Sequence, residues 1–162
     1  MNILHLTNYD VLIHEAKTSK DESEVASLWN HLLIKVGFDP EHGYRVIPQN
    51  LSPIKTKPDL IVKVLRSNEV VLVVECKCVD HDNIKGWDLA EIQVSKYMQA
   101  YGCPNGIAAV GHKCKFYHMP DRFIPHGRIY DFSHEFGVIF DIMQRFFGAV
   151  VEGGVGVAIV SE

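Results

Sequence analysis

The sequence predicts an α/β protein: a mixed β-sheet flanked by helices, in the order helix, three strands, helix, two strands, helix. Three observations carry this. Two apolar, β-branched runs, Asp59 to Leu65 and Val70 to Lys77, are short and split by Arg66-Ser-Asn-Glu69, which is the pattern of a hairpin buried at the centre of a sheet. Helical stripes at 3.6-residue spacing stand before and after that hairpin. At 162 residues, 47% of them hydrophobic, the chain is long enough to cover both faces of one sheet.

The first helix is expected from Asp21 to Val36. Val25, Leu28, Trp29, Leu32 and Val36 form its stripe, Asp21, Glu22 and Glu24 suit the positive end of its dipole, and Gly37 stops it. A short strand, Tyr44 to Ile47, ends at Pro48. A second helix is expected from about Trp87 to Tyr101, burying Trp87, Ala90, Val94, Tyr97, Met98 and Tyr101 before Gly102 ends it. Gly106 to Val110 and Lys113 to Met119 read as a hairpin around Gly111-His112, and Ser133 to Phe147 as a last helix. Residues 1–148 form one domain in this reading. The apolar, glycine-rich residues 149–162 are expected as a tail or an added edge strand.

Composition narrows the function classes. The formal charge of −4 is not that of a domain coated for a polyanion, so any nucleic-acid contact has to come from a local basic patch. Cys76, Cys78, Cys103 and Cys114 are too few for a disulfide framework and read as small core residues in a reducing, intracellular compartment. Zinc through Cys76, Cys78 and His81 lacks a second well-spaced pair. His112, in a turn, and His118, after a strand, read as surface residues. Met1 to Ala16 has neither a basic start nor a long apolar run, so no signal peptide or membrane span is expected.

The chemistry sits in the central hairpin. Asp59 opens one apolar strand; Glu75 and Lys77 close the other. Buried charge has to be neutralised, paired or bound to a cation. Glu75 and Lys77, at i and i+2, share a face and could simply pair. Asp59 joins them only if it lies across from Glu75. A turn centred on Ser67 achieves that; a two-residue turn at Ser67-Asn68 puts Asp59 across from Cys76, with the acids on opposite sides. A shared site therefore demands an odd-length turn or a bulge. Two carboxylates on one face suit Mg2+ or Mn2+, which take oxygen ligands and keep several waters. Such an ion activates water and polarises a phosphoryl oxygen, while the Lys77 ammonium offsets developing charge and the Cys76 carbonyl can add a ligand. Together these groups suit phosphodiester hydrolysis.

Pro58-Asp59, a sixteen-residue step, then Glu75-Cys76-Lys77 resembles the motif of the PD-(D/E)XK nuclease superfamily, the restriction-endonuclease-like fold. The order of elements from about Asp21 to Met119 matches as well. Gln93-Val-Ser-Lys-Tyr97 is similar to the Gln-x-x-x-Tyr element of the exonuclease-like branch. The resemblance implies a metal-dependent nuclease acting on DNA, with RNA as a lesser candidate. It makes Asp59 and Glu75 metal ligands and Lys77 the catalytic lysine. A first-helix acid is also implied. Glu22 lies about 60° from the centre of the buried stripe and Glu24 about 100°, at ~100° per residue, so Glu22 is preferred. Gln93, flanking the buried stripe, can reach a phosphate or the attacking water. Tyr97 lies on the stripe itself, where packing outweighs substrate contact. Lys55 and Lys57, closest to Asp59 in sequence, are the favoured phosphate contacts; Lys63, Arg66, Lys85 and Lys96 read as solvated charges. The alternative is an inactive binding or scaffolding module on the same fold. So small a domain has little surface for base readout, which leaves room for a second copy or a partner protein.

Overall fold

A computed structural model describes the backbone of residues 3–49, 57–118 and 128–153 and the side chains of 8–49, 57–118 and 128–146. Six strands form one sheet in the order β1-β2-β3-β4-β5-β6, where β1 is Tyr44–Pro48, β2 Leu60–Val64, β3 Val70–Lys77, β4 Asn105–Val110, β5 Lys113–His118 and β6 Tyr130–Asp131. Every pairing is antiparallel except β3 with β4, which is parallel and is joined through a helix. That mixed sheet with helices on both sides is the predicted fold class.

Helices α1 (Ile3–Thr18), α2 (Glu22–Lys35) and α4 (Phe132–Gly153) share one core with the sheet, and α3 (Ile84–Tyr101) covers the other face. All eight residues of β3 are buried, as its unbroken apolar run requires. Trp29 anchors the larger core, edge-on to Phe116 and Phe132 at 6.4 and 5.4 Å between ring centres. Across the sheet, Trp87, Val94, Tyr97 and Met98 of α3 pack on Ile61, Val73, Ala108 and Val110.

The differences from expectation each have a physical cause. Helix α1 precedes the first element read from sequence; its apolar residues gather on no single stripe, and it is held through Ile13 and Ala16 and by Tyr9 against Phe136 of α4. Helix α3 starts three residues before Trp87, because the Asn83 side chain caps it by accepting the Gly86 amide at 2.9 Å. Helix α4 continues to Gly153, past the Phe147 boundary, so the first part of the expected tail is helical. Strand β6 has only two residues, too few for a pattern to show. His112, expected at the surface, is 8% exposed: Phe132 donates its amide to the His112 carbonyl, folding the chain over the turn. Burial lowers the affinity of its imidazole for a proton, and the nearby Asp131 carboxylate opposes this only in part.

Gly86 is the tightest point of the α3 entry. A Cβ there would stand 1.9 Å from the His81 carbonyl oxygen, a backbone atom that no rotamer change can move. Gly86→Ala is therefore expected to cost about 3 kcal/mol, the upper end of overpacking effects. Thermal denaturation should show a fall of roughly 6–12 °C; an unchanged midpoint would mean the helix entry is not closely held.

Candidate active site

The register of the β2/β3 hairpin decides whether the acids meet. Val64 donates to the Glu69 carbonyl and Asn68 to that of Val64, both at 2.9 Å, and Asn68 takes φ 57°. This leaves a four-residue turn, 65–68, with Lys63 opposite Val70. Continued regularly, that even turn would set Asp59 across from Val74 and splay the carboxylates. The register instead shifts between Val62 and Lys63, so that Val62 faces Leu72 and Val71 is the extra residue. Val71 and Leu72 accordingly both enter the core under α2 and α4, while Val70 and Val73 lie under α3. Beyond the bulge Leu60 faces Val74, and one further step brings Asp59 opposite Glu75. Alternation from Ile61 and Val73 carries Asp59, Glu75 and Lys77 to the α3 side.

All three charged residues are buried, at 3, 0 and 4% exposure. The Cys76 amide donates to Asp59 Oδ2 at 2.6 Å, fastening the aspartate to β3 beside Glu75. Lys77 Nζ lies 3.4 Å from Glu75 Oε1. Behind them, Gly111 donates its amide to the Lys77 carbonyl at 2.9 Å, tying the strand end to the β4–β5 turn. Removing three ionisable groups from water is expensive, and one ammonium against two carboxylates leaves an acidic excess that a divalent cation would balance.

The other predicted residues fall in several places. Cys76 contributes its backbone here, and its side chain points into the opposite core. Gln93 is half-buried on α3; its Oε1 is shielded from solvent and meets no hydrogen-bond donor among the described residues. Tyr97 packs in the α3-side core, as its stripe position implied. Lys57 is exposed just before Pro58 and Asp59, and Lys55 lies outside the described residues. Glu22 opens α2 and lines an open pocket of about 710 Å³ with Ser19, Lys20, Asp21, Cys78 and His81, beyond the end of β3. Neither Asp59 nor Glu75 lines that pocket. Glu24, the other candidate, is half-buried in the same helical turn.

The donor set fits a hard cation better than zinc. Among the described residues no group of three or more His, Cys, Asp or Glu side chains could hold a metal ion. Structural zinc takes four such side chains and catalytic zinc three, whereas Mg2+ or Mn2+ is commonly held by one or two carboxylates and completes its shell with water and phosphate oxygens. Two acids on the same side of paired strands suit the second requirement.

Sequence reading missed the contacts that hold α3 over this site. Asp82 accepts from Trp87 Nε1 at 2.9 Å and pairs with Lys113 at 2.7 Å; Glu91 accepts from Lys115 at 2.9 Å and from the Tyr117 hydroxyl at 2.7 Å. The available signal was the alternation of Lys113, Lys115 and Tyr117, which places all three on one face of β5. Burial alone would raise the pKa of both carboxyls, but the hydrogen bonds and lysine charges outweigh it and hold both below the ordinary value. A depressed folded pKa contributes stability above the unfolded value, lost as pH falls through the folded one. Stability is expected to decline as the pH falls from the ordinary carboxylate range, about pH 4, through these depressed values, with Glu91→Gln flattening part of that slope in thermal melts; an identical slope would show that Glu91 does not take part.

Comparison with known proteins adds one relation. A chain of a DrdV–DNA complex solved by cryo-electron microscopy superposes with a TM-score of 0.57 at 13% sequence identity, over 90% of this chain and 97% of that one. The two share a fold. No protein-family model matches the sequence, and no curated protein matches it. No helix among the described residues is long and apolar enough to cross a membrane.

Proposed function

We propose that this chain is a Mg2+- or Mn2+-dependent nuclease of the PD-(D/E)XK type that hydrolyses phosphodiester bonds of DNA. The observation that supports this most is the Val71 bulge, which turns an even hairpin into one whose two acids share a side with Lys77. The solved structure with the same fold is described as a DNA complex, which favours DNA over RNA.

Asp59 and Glu75 would hold the cation, with the Cys76 carbonyl as a further ligand; Glu22, facing Cys78 and His81 in a separate pocket, is not grouped with them. When bound, the ion supplies a polarised phosphoryl oxygen and a water acidic enough to give hydroxide near neutral pH. Lys77, buried and therefore weakly screened, orients that water and offsets charge gathering on the phosphorus oxygens. Gln93 presents an amide from α3 that can hydrogen-bond the water or a phosphate oxygen. Tyr97, four residues on, seats that helix turn in the core. Lys57, with Lys55, would contact phosphates flanking the scissile one.

The deciding experiment incubates the full chain with single-stranded DNA, duplex DNA and RNA, with Mn2+ or with EDTA. Metal-dependent cleavage of DNA is expected. Binding without cleavage, under conditions where the protein gains thermal stability from Mn2+, would replace the nuclease by a binding module on the same fold.

A further inference from the structure

A second cationic feature lies on the acids' side of the sheet. Strands β1 and β2 pair without irregularity, and Arg45 sits directly opposite Lys63. Val46 and Val64 on these strands pack toward α2 and α4, and Ile47 and Ile61 toward α3, so Arg45 and Lys63 project on the α3 side, as Asp59 does. Directly opposed side chains in an antiparallel pair have Cβ atoms about 5 Å apart, and like charges there are destabilising. Neither cation forms an ion pair with a carboxylate among the described residues. Arg45 is exposed and Lys63 half-buried, beyond the reach of α3, whose cover of β2 ends at Ile61. A protein of net charge −4 thus places two opposed cations on one strand pair with no carboxylate paired to either among the described residues.

We infer that Arg45 and Lys63 form a phosphate-binding track for the nucleic-acid backbone, leading away from the Asp59–Glu75–Lys77 site. The inference rests on the nuclease reading for the identity of its polyanion. Four residues separate Asp59 from Lys63, about 13 Å of strand at ~3.3 Å per residue. Phosphates of one strand recur every ~3.4 Å along the duplex axis and lie farther apart than that through space, so this distance spans at most about four nucleotides. The two cations therefore hold the backbone a few nucleotides from the scissile bond, and they lower KM without touching the reacting atoms. Arg45 can grip one phosphate with both guanidinium arms, while Lys63 acts as a point charge beside it.

The test measures binding of a labelled DNA duplex in EDTA, where no cleavage occurs, from about 50 to 200 mM salt. Each cation removed should reduce the slope of log K against log salt by about 0.9, so Arg45→Gln with Lys63→Gln should lose about 1.8. With Mn2+ the double variant should keep the wild-type kcat and show a raised KM. Its thermal midpoint without DNA should be unchanged or higher, since a repulsion has been relieved. An unchanged slope overturns the track, as does a midpoint lowered by several degrees, which would make the pair structural, and as does failure of the wild type to bind DNA. The two readings separate cleanly. Wild-type cleavage with an unaltered slope in the variant removes the track and leaves the nuclease. A reduced slope without wild-type cleavage removes the nuclease and leaves the track.

Discussion

Lys77→Met should lower turnover by orders of magnitude while the protein still responds to metal. Methionine keeps the buried stem and deletes the charge, so the packing of β3 is largely preserved. Two effects follow from the ammonium lying 3.4 Å from Glu75 Oε1 at 5% side-chain exposure. First, the Glu75 carboxylate loses its cation, and breaking one side of a buried pair costs about 3–5 kcal/mol. The metal-free variant should therefore melt roughly 6–20 °C lower. Mn2+ should restore more stability to it than to the wild type, because the ion replaces the missing charge. Second, the group proposed to orient water and offset charge on the phosphorus oxygens is gone, and kcat should fall by about 10²–10⁴-fold. Single-turnover cleavage at saturating Mn2+ isolates this second effect. Wild-type turnover in Lys77→Met would remove the role assigned to the lysine.

The acids should behave in the complementary way. Mn2+ at about 100 times its Kd would stabilise the wild type by ~2.7 kcal/mol, a rise of roughly 5–11 °C. Asp59→Asn and Glu75→Gln should each remove most of that shift and all measurable cleavage. Asp59→Asn is the cleaner probe: the side-chain oxygen that remains can still accept the Cys76 amide that Asp59 Oδ2 holds at 2.6 Å, so the hairpin contact survives and only the charge is lost. Glu75→Gln also strands Lys77 without its carboxylate and should lower the metal-free midpoint as well. The double variant should bind metal no worse than either single one, since each alone dismantles the same site. A full Mn2+ shift in Asp59→Asn would show that the ion sits elsewhere, with the pocket lined by Glu22, Cys78 and His81 as the place to look.

What the sequence determined by itself was the central architecture. The apolar runs of β2 and β3, the single stripe of α2 and its arrest at Gly37, and the Gly111-His112 turn are local patterns. A residue's neighbours in the chain are enough to read them. The same holds for Asp59, Glu75 and Lys77, which stand out because charge in an apolar strand is costly wherever the strand is placed.

The tertiary structure decided the rest. Helix α1 has no stripe to read, because it packs on α2, the next helix in the chain, and on α4, which lies far away in sequence. Glu22 could be placed on its helix but not against a partner; the fold sets it beside Cys78 and His81, which only the end of β3 brings near. Above all, the four-residue turn on its own favours the register that parts the two acids. The bulge at Val71 reverses this, and no local rule placed it there, because Val71 and Leu72 are equally apolar. Two consecutive residues could face the same way only because α2 and α4 offer a core deep enough to bury both. Side-chain type sets which groups are costly to bury, but register, and with it which charges meet, depends on the shape of the surfaces that close over the strand.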